Sequence, residues 1–340
     1  MMSMCAREAS VDNIANMAKV AEAAIVNDTN LMVKEDNVYK LARFCHGRNA
    51  DEISRAVLMG EITVSDIAIL KAVCNLGQAH VEAVKLHLDM LKALYPDRLI
   101  LQSTVDSVRA RLMELSKYGC LLAQEVLFEN GKKIVLYSCT EAGVTLIRKQ
   151  LSTNIYYERF INIENKCDMF RHVVGGYIGV VLANRLDCKE YKPAHYNKIF
   201  RVNAKKDPYF YSMITTERED GVVVDYVVVP LYFELDRGLL TEKERTENYK
   251  EQLRMYDDWI AENKKQRNRE TKVVVCVENY EGMKKACRLI KETTPYMLDK
   301  CYFTSERVIC EMRGAEEKAF FKTIINGNRA SFTVVDITKQ

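Results

Sequence analysis

Residues 222–238 read VVVDYVVVPLYFELDRG, an apolar run that carries three acids, Asp225, Glu234 and Asp236. Runs of Val, Tyr and Phe favour extended chain. An ionised carboxylate buried among them is costly unless a partner compensates it. Pro230 cannot donate to a ladder, so it predicts two adjacent strands rather than one. Asp225 falls on the first and Glu234 and Asp236 on the second, where period-2 alternation places both on one face.

Downstream, TEKERTENYKEQLRMYDDWIAENKK predicts a polar helix that buries Leu253, Tyr256 and Ile260. TKVVVCVEN then reads as a strand buried on both faces, YEGMKKACRLIKETT as a helix and KCYFTSERVIC as a further strand. Strands alternating with helices predict an α/β domain with a mixed sheet. Upstream, residues 154–184 read as largely helical with an interruption at Gly175-Gly176. Residues 185–206 then hold seven Lys or Arg against two acids, interleaved with Tyr191, Tyr196 and Phe200. Such mixing suits phosphate neutralisation with base stacking, but a solvated surface loop is the favoured reading.

A second pattern lies nearer the start. TVSDIAILKAVCNLG predicts a helix with Ser65 as N-cap, an inward stripe of Ile67, Leu70, Val73 and Cys74, and Gly77 as its stop. The next helix turns Val81, Val84, Leu88 and Leu91 inward and ends at Pro96. A third, capped by Ser103 or Thr104, carries Val105, Val108, Leu112 and Leu115 at helical spacing up to Gly119. LAQEVLF and KIVLYS flank ENGKK, in which Asn130-Gly131 is a strong hairpin signal. SCTEAGVTLIRKQL opens another helix, with Thr140, or Ser138 with Glu141, as its cap. Three helices and a basic-tipped hairpin predict a winged helix-turn-helix. Residues 11–27 and 36–46 show helical spacing, so the amino-terminal third is expected to be helical.

In a winged helix the third helix enters the major groove and the wing follows the phosphates. That assigns DNA contacts to Gln102, Ser103, Ser107, Arg109 and Arg111 on the helix and to Lys132 and Lys133 at the hairpin tip. Arginine can read guanine bidentately and glutamine adenine. The same fold also serves protein contacts alone.

Composition sets outer limits. The chain has 340 residues, 48% hydrophobic and 29% charged, with a net charge of +3, which neither requires nor excludes nucleic acid. Eleven cysteines without a C-x-x-C pair read as free thiols in a reducing cytosol. No run approaches a membrane span and the start lacks a signal-peptide pattern, so a cytoplasmic location is expected. Phosphate-loop, G-x-G-x-x-G and H-E-x-x-H motifs are absent. The five histidines are scattered and read as core or surface residues.

Two carboxylates on neighbouring strands, followed by a lysine-bearing helix, are similar to the PD-(D/E)xK nuclease pattern, although its third position is Asp236 rather than lysine. Asp225 and Glu234 would hold Mg²⁺ or Mn²⁺ through oxygen ligands. Together, ILKAVCNLG, VRARLMELSKYGCL and KIVLYSCTEAGVTLI, followed by VVVDYVVVPLYFELDRG and YKEQLRMYDDWI, resemble the replication-relaxation family of plasmids and integrative elements. The likeness covers roughly residues 63–310 and rests on Asp225, Glu234, Asp236, Arg237, Gly238, Lys250 and Tyr256. It implies a winged helix followed by a restriction-endonuclease-like mixed-sheet domain, with Lys250 reaching the acids from the next helix. The implied organisation is a helical segment at 1–62, a winged helix-turn-helix at 63–151, a nuclease-like domain at 152–312 and an extension at 313–340.

The implied role is a DNA-binding accessory protein in replication, relaxation or transfer of a mobile element, acting on double-stranded DNA beside a relaxase or replication protein. No cofactor is required for such binding. The alternatives are a metal-dependent endonuclease using Asp225, Glu234, Asp236 and Lys250, and a regulatory protein that dimerises or docks a partner through its amino-terminal helices.

Overall fold

The computed structural model describes residues 38–44, 50–94, 104–128, 133–151, 166–193, 211–233, 241–267, 269–326 and 329–339. They form a mixed α+β molecule with a helical amino-terminal part and a seven-stranded mixed sheet behind it. The expected helix at 11–27, Pro96, the Asn130-Gly131 turn, Tyr196 and Phe200 lie outside the described residues.

The amino-terminal part begins with β1 (Val38–Phe44), then α1 (Ala50–Leu58), α2 (Val64–Leu76), β2 (Ala79–His80), α3 (Val81–Leu94) and α4 (Val105–Lys117). β3 (Leu121–Phe128), β4 (Lys133–Cys139) and α5 (Glu141–Leu151) complete it. Residues 38–44 correct the helical expectation. They pair antiparallel with β3, Leu41 opposite Val126, so an available strand edge overrides the helical spacing. β3 and β4 form the expected hairpin, and two-residue β2 closes on β4 with Ala79 opposite Tyr137, giving the order β1-β3-β4-β2.

The inward stripes are largely as their spacing requires. Ile67, Leu70, Val73 and Cys74 of α2, Val84, Leu88 and Leu91 of α3, and Val108, Leu112 and Leu115 of α4 are all buried. Gly77 and Gly119 end their helices at φ 74° and 76°, a region that favours glycine. The cap of α2 is Thr63 rather than Ser65. Its backbone N–H and hydroxyl both donate to Asp66 Oδ2, at 2.6 and 2.8 Å. Thr140 caps α5, accepting from Gly143 N at 3.2 Å.

The second part opens with α6 (Lys166–Arg185), β5 (Cys188–Pro193), β6 (Ser212–Glu217) and β7 (Val223–Pro230). Next come α7 (Glu242–Arg267), β8 (Glu270–Cys276), α8 (Tyr280–Thr293), β9 (Cys301–Thr304) and α9 (Glu306–Glu311), and finally β10 (Phe320–Asn326) and β11 (Arg329–Val335). The sheet order is β11-β10-β9-β8-β7-β6-β5. β5, β6 and β7 are an antiparallel meander, β7, β8 and β9 run parallel, and β10 and β11 return antiparallel.

Three expectations change here. α6 runs through Gly175-Gly176 without interruption, because the glycines serve close approach. A Cβ on Gly175 would sit 2.5 Å from Tyr211 Cβ, and Ser212 Oγ donates to Gly175 O at 3.0 Å. SERVIC is not strand: Ser305 accepts from Val308 N at 3.3 Å and starts α9. Residues 320–335 are not a mere extension, since β10 and β11 complete the sheet.

The two parts share one core. α6 packs against α3, and Asn184 Nδ2 donates to Leu86 O at 2.9 Å between them. Buried residues of both parts form a single continuous hydrophobic cluster. No helix among the described residues is long and apolar enough to cross a membrane.

Candidate nucleic-acid interface

α4 is amphipathic, and its outer side is open. Ser107, Arg109, Ala110, Met113 and Lys117 are exposed while Val108, Leu112 and Leu115 face the core. Thr104 sets the start of the helix: its Oγ1 accepts from Ser107 N at 3.1 Å, and Ser107 Oγ donates back to Thr104 O at 2.9 Å. Ser107 therefore lies at the leading end of the open face. Gln102, Ser103 and Lys132 lie outside the described residues, and Lys133 is the first residue of β4.

The two arginines of α4 have different surroundings. Arg109 is half exposed and pairs with Asp106, one turn earlier, at 2.5 Å. Arg111 points back into the molecule. Its Nε donates to Asp66 Oδ1 at 2.5 Å, its Nη2 donates to Asp66 Oδ2 at 2.7 Å, and Nη2 also reaches Glu61 O. Asp66 is itself buried. Burial alone would raise its carboxyl, but Arg111 and the two Thr63 donors hold it below the usual carboxylate range. Arg111 thus fixes how α4 sits against the start of α2 and is committed there. Arg109 and Ser107 lie on the outer face. Lys117, which spacing alone did not single out, is exposed beside Glu114 at 3.0 Å.

The sheet gives the acid of β7 a partner. Asp225 is buried, accepts from Thr215 Oγ1 on β6 at 2.6 Å, and takes Arg269 Nη1 at 3.2 Å on each oxygen. Arg269 sits just before β8, whose Thr271 is the register partner of Asp225. A charge-assisted contact and a hydroxyl donor explain why a carboxylate persists in an apolar strand. The strand ends at Pro230, and Glu234, Asp236, Arg237 and Gly238 lie outside the described residues. Lys250, on α7, pairs with Glu247 at 3.0 Å.

A hard divalent cation needs about six oxygen ligands, several of them carboxylate. At Asp225 it would have to displace the Arg269 guanidinium. No cluster of three or more His, Cys, Asp or Glu suited to a metal occurs among the described residues. Glu234 and Asp236, the other expected oxygen ligands, lie outside the described residues.

No family model, curated protein or solved structure gives a significant match to this chain.

Proposed function

We propose that this chain is a non-catalytic double-stranded-DNA-binding protein whose residues 63–151 act as a winged helix, with α4 as the recognition helix. The observation that carries this reading is the order α2-β2-α3-α4-β3-β4, with β2 closing on the hairpin and the polar side of α4 left open. Ser107 and Arg109 are the groove-facing residues, and Lys132 and Lys133, which follow β3 in the sequence, are the phosphate contacts. The mixed sheet behind it is consistent with a restriction-endonuclease-like scaffold. Its buried Asp225–Arg269 pair favours a supporting role over cleavage. The resemblance to the replication-relaxation family makes the context a mobile genetic element, with a relaxase or replication protein nearby.

Fluorescence anisotropy with a labelled duplex tests the proposal. Log affinity should fall linearly with log salt, by about 0.9 per phosphate neutralised. A flat dependence, or no binding at low salt, overturns it. Supercoiled plasmid incubated with Mg²⁺ or Mn²⁺ should stay uncut; nicking that disappears in Glu234→Ala would instead establish the nuclease.

A second reading has its own observation. Both Arg109 and Lys117 are matched by acids on their own helix, so the open face of α4 is close to neutral. A near-neutral face carrying exposed Met113 also suits a protein partner. Light scattering with and without residues 1–37, a cut that leaves β1 paired with β3, separates the two readings. An oligomer lost on truncation, together with absent duplex binding, selects the protein-interaction role.

A further inference from the structure

The two sheets have four outer strands among the described residues, and three of these carry features that discourage a further strand from adding. β1 has a register shift between Val38 and Lys40, and β2 is only two residues long. β5 combines a shift between Cys188 and Glu190 with Lys189, Lys192 and Pro193. Lysine, proline, bulges and shortness are the common means by which sheet edges resist pairing. β11 has none of them. Its seven residues pair with β10 in unbroken register, and residues 330–335 include neither a charge nor a proline. Among the described residues, no strand pairs with its other side. Alternate residues of such a strand aim their N–H and C=O away from its one neighbour. Ala330 and Ser331 are exposed, as are Ile325 and Ile324 opposite them on β10.

The two faces of β11 differ in chemistry. Phe332 packs edge-to-face on Tyr280 of α8 and on Phe303 of β9, with centroids 5.8 and 5.7 Å apart. Ala330, Phe332 and Val334 therefore share the α8 face, and Ser331 and Thr333 share the opposite one. Laid antiparallel on a copy of itself about a two-fold axis at Phe332, the strand is self-matching. Phe332 meets its own counterpart, Ala330 meets Val334, and Ser331 meets Thr333. Apolar side chains then oppose apolar ones and hydroxyls oppose hydroxyls, pairs that favour a ladder, and no like charges face each other. A strand of unrelated sequence would have to supply this pattern, whereas a second copy has it already. We propose that β11 is the surface through which two copies of this chain associate, antiparallel across a two-fold axis, so that their sheets become one continuous sheet.

Sedimentation equilibrium of the full chain, without DNA, tests this independently of duplex binding. At about 100 μM the mass should approach twice 39.1 kDa. Ala330→Lys combined with Ser331→Lys, both at exposed positions, sets a lysine on each face of the edge. This double variant should raise the dissociation constant at least about tenfold while circular dichroism stays unchanged. Hydrogen exchange gives a second measurement: protection of the β11 amides should rise between about 1 and about 100 μM chain. A monomer at about 100 μM overturns the proposal and leaves the edge to a strand of another protein. A dimer that the lysines do not weaken also overturns it, because the contact then lies elsewhere. Should the double variant fail to fold, β11 protection that does not depend on concentration does so.

Discussion

Two acids, Asp66 and Asp225, show how a single side chain can be read in opposite ways. Each is buried, and each is matched by an arginine from a distant part of the chain. Removing the cation leaves an uncompensated charge, which costs more than neutralising the acid. Arg269→Met should therefore destabilise the protein by about 3 kcal/mol and Asp225→Asn by less, as read from urea midpoints. A loss below about 0.5 kcal/mol for Arg269→Met, typical of surface positions, would mean the pair is immaterial. Histidines supply the pH dependence. His80 and His87 are buried, with pKa values pushed down to about 4 and about 3. The unfolded chain binds their protons near pH 6.5 and the folded chain does not. Their contribution is therefore complete above that pH and drains away below it, by about 1.4 kcal/mol per pH unit for each histidine. Urea titrations between pH 6.5 and 4.5 should show the slope, and His87→Leu should lessen it. An unchanged slope would refute the assignment.

At the scale of elements, α4 divides its arginines between packing and recognition. Arg111→Met should lower stability by about 2 kcal/mol, less than a fully buried pair because the guanidinium is partly exposed. Arg109→Met should leave stability nearly unchanged and weaken duplex binding by about 1–3 kcal/mol, measured by anisotropy. The reverse pattern would move the recognition face elsewhere. Helical stripes such as Ile67-Leu70-Val73 were legible because burial follows a 3.6-residue period, and Gly77 and Gly119 because positive φ has few tenants. The strand at 38–44 was not, since its conformation is set by the free edge of β3, 79 to 90 residues later. Nor was Arg269 legible as the partner of Asp225, because they are 44 residues apart and meet only through the β7–β8 register. Arg111 looked like a DNA contact for the same reason: its partner, Asp66, is 45 residues away.

For the whole molecule, the continuous core means that the helical and sheet parts do not behave as beads on a string. Calorimetry should record one cooperative transition, with van't Hoff and calorimetric enthalpies equal. Two resolved transitions would show that the α3–α6 contact is too weak to couple them. The pairing of β1 with β3 also has a practical consequence. A fragment cut to begin at residue 63 would keep the hairpin but lose the strand that covers one side of it. Its bared row of N–H and C=O groups would then invite strand-to-strand aggregation, a hazard that residues 38–44 ordinarily suppress.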